Sequence, residues 1–578
     1  MKQHLKLGAA AIALVSFAAC QADAPAEQSY DLIIENALIY DGLGGEPYAG
    51  EVAVSGDRIA YAGADAPGIA SEVIDAEGQA LAPGFINLLS WSNESLLYDG
   101  LGESSLRQGV TLEVMGEGTS MGPLTETMAQ YLEAQQGSIQ YDVSWRTLGG
   151  YFDVLEDQGI AFNVASYVGA GSVRAYVLGF DDVDPSPEQM AEMQGVVQAA
   201  MEDGAMGVAS SLIYPPGAYA ETNELIALAS QAAACGGIYA THLRSEGDRF
   251  LEGVEEALLI GRESGAPVEF FHLKVGGTRN FDKMPVALEM IESAQAEGQA
   301  VTADMYVYPA SGTTLTAMLP PWIQDGGVEA MLERLNDPDM RAEVIAEMGN
   351  PEPEWENLLL LAGGPENVML AVVASEDSTD LVGMRISEIA ELWDKSVEDT
   401  IIDLIVENNG QADAVYFTMS EENLRQIVTR PYVSFASDGL AMAPSGVFLE
   451  DWMHPRSYGN FARAFAHYSR EEGLVSSEEM VRRMTSLPAS VLALADRGQI
   501  SEGYVADLVV FDPETIQDQS TFLDPHQLST GVDTVLVNGV VALSDGEPTG
   551  ALPGQALRGR AYTGDGEGGC RSAHLDWE

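Results

Sequence analysis

Basic residues are scarce in this chain: 578 residues carry 27 Lys and Arg against 89 Asp and Glu, a formal net charge of −62. A phosphate backbone is held by clustered cations, so this balance excludes nucleic acid as a partner and points to solubility, as in a saline habitat. Cysteine is nearly absent, with three in the whole chain. No disulfide framework follows: Cys235 and Cys570 could pair in an oxidising compartment, but Cys235 reads more readily as a lone buried thiol and Cys570 as part of a frayed tail. Histidine is also rare, at seven residues, with none between His4 and His242. Any site that needs imidazole early in the chain must do without it.

What is present suffices for a globular protein. Hydrophobic residues make up 46% of the sequence, ample for a deep core in one large domain with an accessory module. Lys2 and Lys6 followed by the apolar run Leu7 to Ala19 read as an export signal, too short to span a membrane as a mature helix. Phe17-Ala18-Ala19-Cys20 resembles a bacterial lipoprotein cleavage box, with Phe17 where leucine is usual. Lipidation of Cys20 would anchor an exported, periplasmic protein to a membrane, Gln21 favouring the outer one; plain secretion is the alternative. A short linker, 21–29, follows.

From Tyr30 the chain alternates short apolar strands with turns such as Asp41-Gly42 and Gly56-Asp57, a small β module covering 30–83. The same texture returns in 496–560, before a tail at 561–578. Between them, helical and strand-like segments alternate, for example a helix over Leu251 to Arg262 before a strand at Val268. The expected fold is therefore α/β: a TIM-like (β/α)8 barrel over 84–495 with a composite β-sandwich from the two chain ends. A stretch rich in Pro, Asp and Glu, about 315–364, breaks the alternation and reads as a lid, in which Trp322, Met331 and Trp355 form a small core rather than an assigned acyl site.

Two strand-like runs end in histidine, at His242 and His272, and a third, Tyr432 to Ala436, leads into Ser437-Asp438-Gly439. Polar groups at successive strand ends converge in a parallel barrel, the arrangement of a metallohydrolase. A single buried histidine is as often a hydrogen-bonded core residue as a ligand, but two at matched strand ends facing an aspartate are not the usual core pattern.

Ordered motifs carry a more specific message. Ala82-Pro83-Gly84-Phe85-Ile86-Asn87, Gly109-Val110-Thr111, Ser211 to Gly217, Thr241-His242-Leu243-Arg244, His454-Pro455-Arg456 and Gly503 to Asp512 occur in the order of the D-aminoacylases. The chain resembles these N-acyl-D-amino-acid deacylases of the amidohydrolase superfamily from about Tyr30 to about Val541. The resemblance implies that His242 and His272 are metal ligands, that Asp438 is the catalytic acid/base at the metal, and that Lys274, Arg456 and Tyr306 handle substrate. Arg456 would grip an α-carboxylate through its planar fork. The family's nearby serine falls at Gly312 or Thr313. For Lys274 and Arg456 the plainer alternative is an ordinary ion pair.

The chain also departs from that family. Its His-x-His is replaced by Leu89 and Trp91, its ligand cysteine by Gly116-Glu117-Gly118-Thr119, and its strand-three histidine by Ala170. Glu117 is then the expected third ligand, with Glu113, one pleat deeper, as the alternative. One zinc per chain is expected, held by His242, His272 and Glu117 with water in the fourth place. The function implied is hydrolysis of C–N amide bonds in N-acyl (D-)amino acids or related small amides and short peptides. The alternatives are an inert barrel that binds such molecules, or a hydrolase of cyclic amides or lactones. The oligomeric state is not implied.

Overall fold

The computed structural model describes residues 28–564 and 569–570; the expected export signal and the expected lipid site at Cys20 lie outside them. Eight parallel strands carry the fold: β1 (Phe85–Asn87), β2 (Val110–Met115), β3 (Asn163–Ser166, extended by Val168–Gly169), β4 (Gly207–Ser211), β5 (Ile238–His242), β6 (Val268–Phe270), β7 (Val301–Met305) and β8 (Val433–Phe435). Each pairs in parallel with the next in chain order, except that β8 follows β7 across a long insertion. The end of β1 returns to β8. Trp91 N–H donates to the Gly439 carbonyl at 2.9 Å and Asp438 N–H to that of Leu89 at 3.0 Å.

Local signals explain the alternation. The helix Phe250–Ser264 buries Val254, Ala257, Leu258 and Gly261 on one stripe and stops at Gly265, whose φ of 75° is the left-handed cap that glycine adopts without strain. The chain then enters β6, whose three residues are all buried, as parallel strands covered on both faces require. The helix Pro187–Glu202 begins with a capping box between Ser186 and Gln189.

Strands from the two chain ends share one nine-stranded sheet. Leu508–Phe511 pairs antiparallel with Ala80–Pro83, joining the C-terminal strands to Ser29–Ile39 and Tyr48–Ser55. Ile59 N–H donates to the Tyr504 carbonyl and Ala506 N–H to that of Asp57, bringing the turn at Gly56-Asp57 back to the segment before Leu508. Leu32, Ile34, Val52 and Val54 share a buried cluster with Leu508, Val510 and Leu536.

Two expectations need correction. The insertion extends past 364: strands Ser311–Thr314, Val368–Val373 and Ala412–Tyr416 form an antiparallel sheet, and with five helices they enclose a core including Leu315, Met331, Leu370 and Ile401. Its second half, two strands flanking two amphipathic helices, has the same texture as the surrounding alternation, so periodicity alone could not separate it. Cys235 and Cys570 are not separate thiols but form a disulfide across 335 residues of sequence, which holds residue 570 against the helical layer.

The insertion is clasped to the end of β5 through Glu356. Its carboxylate accepts from Glu246 N–H at 2.8 Å, from Gly247 N–H at 3.2 Å and from the Ser245 hydroxyl. Burial, opposed by the Ser245 bond and assisted by the Glu246 charge, pushes this carboxyl up to about 7. The unfolded chain ionises near 4.5 while the folded chain keeps its proton to about 7, so this contribution is full at low pH and is lost as pH rises. Urea unfolding from pH 5 to 7.5 should therefore show the stability difference between the parent and Glu356→Gln moving by about 2–3 kcal/mol against the parent. A difference independent of pH would contradict the clasp.

Candidate metal centre

The C-terminal ends of the parallel strands converge on one cavity of about 640 Å³. His242 is the last residue of β5. His272, two residues past β6, has a φ of 34°, in the left-handed region that a non-glycine residue seldom occupies. Its N–H is held there by Asp304 Oδ1 at 2.7 Å. Asp438, after β8, has a φ of 49° and is tied at its own N–H to Leu89. Asn87 fixes the same corner, its side chain donating to Ser437 Oγ and accepting from Ser437 N–H, both at 2.8 Å.

Three donor atoms face one another at the centre. His242 Nδ1 and His272 Nε2 are 3.0 Å apart, and each lies 3.1 Å from Glu117 Oε1. All three side chains are buried. Tetrahedral zinc with bonds of roughly 2.0–2.1 Å has ligand edges of about 3.3 Å, so this triangle fits a small, borderline-soft cation with minor expansion. Burial alone would raise the Glu117 carboxyl; the two imidazoles outweigh it and hold it well below the usual carboxylate range. Among the described residues one other group has this spacing, Glu421, His467 and Glu472. It is half-exposed, and Arg425 already engages Glu472 at 2.8 Å.

Glu113 is otherwise engaged, receiving hydroxyls from Ser90, Ser92 and Ser105 at 2.6–2.7 Å. It lies outside the converging group, so the deeper alternative for the third ligand is not supported by the geometry.

Leu89 is fully buried, in an apolar cluster with Leu88, Phe271 and Ala436. Trp91 faces the cavity, and its indole N–H is shared between Asp438 Oδ1 at 3.0 Å and Glu117 Oε2 at 3.1 Å. Ala170, where the strand-three histidine was sought, starts the helix Ala170–Leu178.

The residues expected to meet substrate lie along the β6 to β8 side. Lys274 Nζ is 2.8 Å from His272 Nδ1, and Arg456 Nη1 is 2.6 Å from Asp438 Oδ2. The Arg456 guanidinium stacks 4.7 Å from the Tyr306 ring centroid and donates to the Gly312 carbonyl at 3.3 Å. Tyr306 Oη and Arg456 Nε are buried without hydrogen-bond partners. Burial pushes the Tyr306 hydroxyl up to about 12, against the pull of Lys274 and Arg456. Thr313 is turned to Tyr214 at 2.8 Å.

One residue that the sequence did not single out completes the centre. Glu246 Oε1 is 3.1 Å from His272 Nδ1 and 2.7 Å from Lys274 Nζ, and its Oε2 is 3.7 Å from His242 Nε2. Its carboxyl is fully buried, which opposes ionisation, but His242, Lys274 and His272 hold it well below the usual range. This carboxylate is in hydrogen-bond reach of the outer nitrogen of His272, the contact that fixes tautomer and ring orientation in a ligating histidine, and faces the outer nitrogen of His242 without a hydrogen bond to it.

Comparison with known proteins agrees with this geometry. A model described as Amidohydrolase family matches residues 432–543. A D-aminoacylase of Alcaligenes xylosoxydans xylosoxydans is 32% identical over 92% of this chain and 98% of its own length. The chain belongs to the D-aminoacylase family. As a member of it, this protein is a metal-dependent amidohydrolase. An N-acyl-D-glutamate deacylase from Bordetella bronchiseptica, solved with zinc and a phosphonate mimic of the tetrahedral intermediate, superposes with a TM-score of 0.75 at 29% identity, covering 92% of this chain and 100% of that one. A D-aminoacylase described as having a binuclear centre, with one-metal activation and second-metal attenuation, has a TM-score of 0.75 at 30% identity and the same coverages.

Glu246→Gln keeps shape and removes charge. It should weaken zinc binding roughly 10–100-fold, read by competition with a chromogenic chelator. Unchanged affinity would remove Glu246 from the centre.

Proposed function

We propose that this chain hydrolyses the amide bond of N-acyl amino acids, as its relatives' names describe, with D-amino acids as the natural configuration. The convergence of Glu117, His242 and His272 in one buried triangle, with Asp438 joined to Glu117 through the Trp91 N–H, carries the reading. Glu117, His242 and His272 would hold a zinc ion, which when bound would supply Lewis acidity, lowering the pKa of a water from about 15.7 to about 7 and polarising the scissile carbonyl. Asp438 takes the proton released by the attacking water and delivers it to the nitrogen of the departing amine. Arg456 and Tyr306, whose unpartnered polar atoms face the cavity, hold the α-carboxylate with Lys274 beside them.

One zinc per chain is part of the proposal. Leu89 cannot ligate, and the Trp91 N–H bridges the two carboxylates, supplying positive edge where a second cation would otherwise neutralise them. The cyclic order of β1 to β8 supports a TIM-like barrel, and the shared core of the nine-stranded sheet a composite sandwich. The Cys235–Cys570 disulfide supports export to an oxidising compartment, where Cys20 would serve as a lipid anchor.

Elemental analysis of the purified full chain should give about one zinc, and Asp438→Asn should retain it while lowering kcat on an N-acyl-D-amino acid roughly 10²–10⁴-fold. Two zinc ions would refute the mononuclear reading; undiminished turnover in Asp438→Asn would refute the proton carrier.

A further inference from the structure

The cavity is much larger than the polar centre, and its other half is apolar. We infer that the acyl group this enzyme removes is a long hydrocarbon chain, held in a wing between the helices Glu126–Ala134 and Ala170–Leu178; the inference rests on the amide-hydrolase reading above. The wing opens from the loop that carries Glu117. Met121, Leu124, Met128, Leu132, Ala175 and Phe180 line it, and the Tyr131 and Phe180 rings, 4.8 Å apart, close its outer end.

Direction follows from connectivity. In an N-acyl amino acid the order is carboxylate, α-carbon, nitrogen, carbonyl, acyl chain. With the carboxylate at Arg456 and Tyr306 on the β7–β8 side and the carbonyl at the three donors, the acyl chain continues toward the β2–β3 side, where the wing lies.

Three polar side chains along this wing are already engaged by the protein. Ser172 Oγ accepts from Ser120 N–H at 2.9 Å, and Ser120 Oγ donates to the Gly122 carbonyl at 2.7 Å. Glu94 Oε1 receives the Tyr141 hydroxyl at 2.7 Å. A polar acyl group would lose water there with few partners to replace it, whereas an alkyl chain gains by removing apolar wall from water. An acetyl group would leave that wall wet.

The test is a chain-length series on the zinc-loaded full chain: N-acetyl, N-hexanoyl and N-decanoyl forms of one D-amino acid, with the L forms as controls. Rising kcat/KM, roughly two- to fourfold per methylene until the wing is full, is expected. Ala175→Phe, which fills the wing, and Leu132→Lys, at a partly exposed position that tolerates charge, should each lower the decanoyl value at least tenfold and leave the acetyl value within about twofold. Equal or better turnover of acetyl, or variants that depress both substrates alike, would overturn the inference while leaving the hydrolase reading intact. Affinity of the Asp438→Asn protein for the same amides, followed by tryptophan fluorescence, separates the two claims. Affinity that climbs with chain length in a protein whose parent turns over none of the amides would sustain the wing and sink the hydrolysis; affinity indifferent to length would sink the wing.

Discussion

Two imidazole nitrogens and a carboxylate oxygen lie 3.0–3.1 Å from one another in a buried pocket. This spacing suits a cation bound by three protein ligands, which leaves a fourth position for chemistry. Much of the surrounding structure serves this convergence. The strained backbone at His272 persists because Asp304 holds its N–H, and Glu246 faces the outer nitrogens of both rings. The parallel strands bring the three residues together from β2, β5 and β6.

The second constraint is how two acidic groups, Glu117 and Asp438, share one small volume. Like charges so placed repel strongly when water is excluded. Here the Trp91 indole N–H is divided between them and Arg456 meets the outer oxygen of Asp438. A neutral donor thus stands where the resemblance to the family predicts a ligating imidazole, and the position is filled rather than left as a hole.

Much of this was legible in the sequence because strand-terminal position is a local property. His242, His272 and Asp438 each follow a short apolar run, and Glu117 follows β2 in the same way, so their convergence at one end of a parallel sheet could be anticipated. Glu246 and the role of Trp91 were not legible: both depend on loop conformations that turn a side chain back over the strand ends, and loop geometry has no periodicity to read. The insertion up to 416 was hidden because its own strands, Val368–Val373 and Ala412–Tyr416, look like those of the surrounding alternation. The Cys235–Cys570 pairing joins positions 335 residues apart, beyond any local pattern.

X-ray absorption at the zinc edge tests the central claim most directly. The account predicts a single zinc environment with nitrogen and oxygen neighbours at roughly 2.0–2.1 Å, imidazole scattering from two rings and no sulfur. A sulfur shell near 2.3 Å, a metal–metal vector, or zinc without imidazole neighbours would contradict it.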